Sequence, residues 1–92
     1  MTKPVLVTTE YRGVFFGYAD DTSGDVIELK RARNCIYWPS EQGGFMGLAS
    51  DGPAKGARIG ATADITLRKI TAVAPVSAEA ADKWETADVY RG

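Results

Sequence analysis

The densest basic cluster in the chain is Lys30-Arg31-Ala32-Arg33. Two guanidinium groups so close in sequence can fork the oxygens of a phosphate or carboxylate, which makes Arg31 and Arg33 candidate anion ligands. The competing reading is a set of solvated charges that keeps a sheet edge from pairing with another chain. Asn34-Cys35-Ile36-Tyr37-Trp38-Pro39 follows directly. In an extended strand Tyr37 and Trp38 face opposite sides, so one is expected in the core and one exposed. An exposed ring beside arginines can stack a base or a sugar, whereas two internal rings would serve packing or a subunit contact. Six glycines lie between Glu41 and Gly60, flanked late by Lys55 and Arg58. Such a segment lets backbone N–H groups approach a phosphate, although its spacing matches neither a P-loop nor a dinucleotide fingerprint. Its plainer role is a connecting loop. Arg12-Gly13-Val14-Phe15-Phe16-Gly17-Tyr18 has the ingredients of an RNA-stacking strand, and Arg12 joins the candidate cations. Val14 stands where an aromatic is wanted and Phe15 where a small residue is wanted, so an ordinary strand with core aromatics fits better.

Other chemistry is excluded by composition. The 92 residues include no histidine and one cysteine. The commonest general base and zinc ligand is missing, and neither an intrachain disulfide nor a thiolate zinc site can form. Cys35 has no imidazole to activate it and reads as a buried, inert thiol. Asp20, Asp21 and Asp25 lack the glycine and distal glutamate of a calcium loop and read as turn residues. No enzyme activity and no cofactor are expected. The formal net charge of −1 disfavours a generic nucleic-acid coat. Hydrophobic residues at 45% and charged residues at 25% describe an ordinary globular protein rather than a disordered one. The start of the chain is too short and polar in its apolar run for a signal peptide, and no stretch reaches the roughly 20 apolar residues of a membrane helix. An intracellular protein without membrane contact is the expectation. A chain this short has a small core and no staples, so a homo-oligomer is expected too.

The elements that must carry these residues are mostly strands. Val5–Thr9 is short and β-branched, and residues 12–18 alternate, with glycines on both sides of Phe15 that suggest close backbone approach. Asp20–Asp25 is a turn by composition and makes a hairpin. In residues 26–38 the apolar parity switches across Arg31–Asn34, which requires a β-bulge there. Residues 64–73 switch parity across Arg68-Lys69 in the same way. Phe45–Ala49 reads as a further short strand. The acidic segment 76–88 reads as the one helix, capped by Ser77, stapled by Val76 on Ala81 and docked through Trp84. The expected architecture is mainly β (α+β): a single domain whose residues 1–73 form about six short strands curled into a roll or barrel, with one C-terminal helix.

The order of these pieces resembles a known family. Val7–Tyr18, Ala32–Trp38, Gly47-Leu48-Ala49 with Gly52-Pro53, and the close Leu67–Val73, Val76-Ser77 and Trp84 resemble small, uncharacterised tailed-phage and prophage proteins that share a domain of unknown function. The resemblance implies a phage gene product acting in the cytoplasm of a bacterial host, and carries over no site residue. Phage proteins of this size include DNA mimics, virion accessory parts and oligomeric sponges for immune nucleotide signals. DNA mimics are strongly acidic, which this chain is not. The leading expectation is therefore a non-enzymatic protein that counters host defence by sequestering an anionic, nucleotide-like molecule. Arg12, Arg31, Arg33, Lys55 and Arg58 would hold its phosphates, with Tyr37 or Trp38 on its base. The alternative is a structural or virion accessory protein acting through protein–protein contacts. Convergence of the arginines on one pocket would favour the first, and scatter the second.

Overall fold

A computed structural model describes residues 2–10 and 13–90. Strands β1 (Lys3–Thr9), β2 (Val14–Ala19) and β3 (Val26–Tyr37) are followed by a 3-10 turn (Ser40–Gln42) and helix α1 (Gly44–Asp51). Strands β4 (Arg58–Arg68) and β5 (Ile70–Pro75) and helix α2 (Ala78–Thr86) complete the chain. The five strands form one antiparallel sheet in the order β4-β3-β2-β1-β5. The expected barrel of about six strands is corrected to an open five-stranded sheet, because β4 and β5 are its two edges and do not pair. Only Lys69 joins those edges, so they come together at that end of the sheet. The sheet therefore curls without closing.

The expected bulges account for the curl. Arg31 has φ 50° and the β3–β4 register shifts between Leu29 and Ala32. The extra residue keeps Ile27, Leu29 and Ala32 in one cluster while turning Arg33 and Cys35 to the opposite face. Ile36, expected to continue the apolar set, is half exposed. Lys69, at φ 57°, makes the second break and passes the chain from β3 to β1. Gly17 shows why a small residue sits beside Phe15: a Cβ there would lie 2.9 Å from Leu29 Cβ.

Each face of the sheet has its own core. On one, Leu6, Val14, Phe16, Cys35 and Ile59 meet Leu48 and Ala49 of α1 and Ala80, Ala81 and Trp84 of α2. Ser77 caps α2 through Ala80 N, and Val76 is buried in the same cluster as Ala81. Trp84 stacks flat on Phe16 at 5.2 Å and donates to the Leu48 carbonyl, so one side chain ties sheet, α1 and α2 together. On the other face Val5, Val7, Ala19, Ile27, Leu29, Ala32 and Leu67 pack with Phe15, Ile70 and Val73, and no helix takes part. That burial comes from the curl itself.

The segment Phe45–Ala49, read as a strand, lies in helix α1, so the described residues hold two α-helices rather than the one expected. Gly47 lets the helix lie against the preceding turn: a Cβ there would meet the Gln42 carbonyl oxygen at 1.9 Å. Gln42 is buried and fastens the far end, donating to the Gly52 carbonyl and accepting from Ala54 N. Helix α2 is shorter than the 76–88 span read from sequence. Among the described residues no helix is long and apolar enough to cross a membrane.

Candidate functional site

The β3 bulge sets the surroundings of Arg31. Its left-handed backbone costs about 1 kcal/mol and turns the side chain along the helix-bearing face. The guanidinium lies 4.3 Å over the Tyr18 ring and donates to Glu85 Oε1 of α2 at 2.8 Å. The Arg31 N–H donates to Asp64 Oδ1, while Asp64 Oδ2 is 3.7 Å from Lys30 Nζ. Burial and the neighbouring Glu85 carboxylate push the Tyr18 phenol above its ordinary pKa.

Arg33 sits in the core, 3% exposed. Its Nε donates to the Gly60 carbonyl, and its Nη1 to the carbonyls of Trp84 and Ala87 at 2.8 and 2.6 Å. It thus caps the C-terminal end of α2, where exposed carbonyls favour a cation. Its Nη2 is buried without a hydrogen-bond partner. Burial lowers the pKa of the group, and Asp88 opposes that shift. Arg31, Arg33, Thr62 and Glu85 line one small cavity of about 200 Å³.

The remaining sequence candidates lie elsewhere. Arg58, at the start of β4, stands 5.0 Å from the ring centroids of both Tyr37 and Tyr90. Tyr37 is half exposed at the end of β3, and Trp38, just beyond the strand, is partly buried against the helix-face core. Ile36 and Val89, the chain neighbours of Tyr37 and Tyr90, are exposed, and Val89 bridges to Ile59 while Tyr90 N–H donates to the Ile59 carbonyl. Lys55 lines a different cavity of about 360 Å³, with Lys83 and Asp88. Arg12 lies outside the described residues. The glycines of the 43–60 segment serve turns and helix packing: Gly43 precedes α1 in the left-handed region and Gly52 ends it, pressed against Ala80.

The described candidate cations therefore fall in three places: Arg31 with Arg33, Arg58 with its tyrosines, and Lys55 at a different cavity. Sequence reasoning missed Tyr18 and Glu85, whose partners come from across the fold, and Tyr90, which lies beyond the last periodic segment. Cys35 is buried with its Sγ toward the Tyr37 carbonyl at 3.7 Å, and burial pushes its pKa up to about 11. No curated protein and no solved structure matches the chain. A family model does match, over residues 2–84, which is most of the sequence that folds into the sheet and α2. The chain belongs to the family described as a domain of unknown function, DUF6948.

Proposed function

We propose that this chain is a non-catalytic module that works by protein–protein contact, through the end of the sheet where Tyr37, Arg58 and Tyr90 meet. The observation that carries the reading is the placement of Arg58 5.0 Å from two partly exposed tyrosine rings, whose chain neighbours Ile36 and Val89 are exposed as well. Arginine and tyrosine dominate the energetics of protein interfaces, and two stacked rings hold the guanidinium ready at little entropic cost. The partner this surface suits presents apolar side chains with a carboxylate that reaches Arg58. The scatter of the basic residues supports this reading over a single anion pocket. The phage origin and the host cytoplasm belong to this proposal through the resemblance of the sequence. The test is photo-crosslinking in the producing cells from a reactive group at position 36. The expected product is an adduct of defined mass, other than a second copy, that Arg58→Glu abolishes and Lys55→Glu leaves in place. An adduct indifferent to Arg58→Glu would overturn the reading.

A second reading, sequestration of a small anion, is favoured by one observation: Arg31 and Arg33 line the same cavity, beside Tyr18. The volume of about 200 Å³ suits a phosphate or carboxylate group better than a whole dinucleotide. Native mass spectrometry with nucleotide ligands tests it, and Arg31→Ala must remove any mass that binds.

A further inference from the structure

Among the described residues no strand pairs with the outer edge of β4 over residues 60–66. The strand runs eleven residues from Arg58 to Arg68, and β3 pairs with only one side of it. At its start the chain's own C-terminal segment covers the other side through the Ile59–Val89 bridge. At its end Lys69 turns the chain into β5. Between these points, residues 60–66 read Gly-Ala-Thr-Ala-Asp-Ile-Thr, with one charge and no proline or lysine, and residues 61–66 are all exposed. Long edge strands are normally blunted by lysine, proline, a bulge or a covering segment, because their open N–H and C=O groups template pairing. The bulge of β4 falls between Ile59 and Thr62 and leaves residues 62–66 regular. The opposite edge, β5, is six residues long and ends in Pro75.

We propose that this edge is closed by a second copy of the chain, β4 against β4, antiparallel about a twofold axis at Ala63. An isologous contact requires a self-complementary strand, and this register supplies one. Ala63 faces its own mate, and Asp64 of each copy faces Thr62 of the other, within the stretch 62–66 that follows the register slip between Ile59 and Thr62. Thr62 lines the cavity that holds Arg31 and Arg33. The pairing thus brings a carboxylate from each copy to the mouth of the other's arginine cavity, where Arg33 Nη2 is buried without a partner. Asp64 already accepts from Arg31 N–H, and a carboxylate retains acceptor capacity for this second contact. The pairing joins the two sheets into one of ten strands and leaves Tyr37, Arg58 and Tyr90 outside its central contacts.

The test is charge complementation at Ala63, an exposed position where substitution spares the core. Sedimentation equilibrium of the full chain is expected to show a dimer. Ala63→Lys and Ala63→Glu, each retaining the wild-type circular dichroism and melting cooperativity, are each expected to weaken the dimer at least about tenfold, by like charges at the axis. An equimolar mixture of the two is expected to recover a dimer carrying one of each. A monomeric wild type at about 100 μM, well above the dissociation constant of a stable dimer, would overturn the proposal. So would a dimer that neither substitution weakens, or a mixture no more associated than its components.

Discussion

Two arginines two positions apart in sequence have opposite roles, and burial separates them. Arg33 is enclosed and holds three carbonyls at the end of α2 and on β4. Arg33→Ala leaves those acceptors without their donor and is expected to cost about 3 kcal/mol in urea unfolding. Arg31 is exposed, with one ion pair and one ring contact, so Arg31→Ala is expected to cost less than about 1 kcal/mol. The basic run made both candidates, and sequence carries no signal that tells a solvated guanidinium from one capping a helix fifty residues away. Cys35 was legible, because a lone thiol in a chain with no histidine has little else to be. Its pKa of about 11 lies above the ordinary 9.0, so between those values the folded state holds a proton that the unfolded state has lost. Stability should therefore fall as pH rises from 9 to 11, by roughly 2 kcal/mol at most, and Cys35→Ala should lack that part of the decline. Below pH 9 the thiol should react with a disulfide reagent only when the chain unfolds.

At the scale of elements, what sequence disclosed was the alternation and its interruptions. The parity slips at Arg31–Asn34 and at Arg68-Lys69 mark a bulge and a corner, because apolar side chains must stay on their face of the sheet. Helix α2 was legible from Ser77, Val76 and Trp84, each of which plays its expected part. Helix α1 was not, since Phe45–Ala49 is too short and too apolar to show a period. What makes it helical is tertiary: Gly47 lies against the Gln42 carbonyl, and Gln42 in turn ties down Gly52 and Ala54. Gly47→Ala forces backbone apart and is expected to cost about 3 kcal/mol. Gly24→Ala, where the nearest atom would be 3.9 Å away, is expected to change stability by less than about 0.5 kcal/mol. Thermal melts of the two variants side by side check both.

Seen whole, the molecule is a curled sheet with helices on one face, an arginine-lined cavity at its bulge and an aromatic-flanked arginine at one end. The curl was legible, whereas closure was not, because closure depends on whether two edges hydrogen-bond and no local pattern records that. The candidate site was legible only in its residue types. The separation of Arg58 from Arg31 and Arg33 follows from strand register, which sets Tyr37 opposite Arg58 and Arg33 opposite Thr62. The proposed contact role rests on Arg58 and its two tyrosines. The most direct test is the crosslink from position 36 in the producing cells, compared between the wild type and Arg58→Glu. The account predicts one adduct, distinct from a second copy, present in the wild type and lost in the variant while the fold is unchanged. An adduct of equal yield in both, or none but the chain's own dimer, would contradict it.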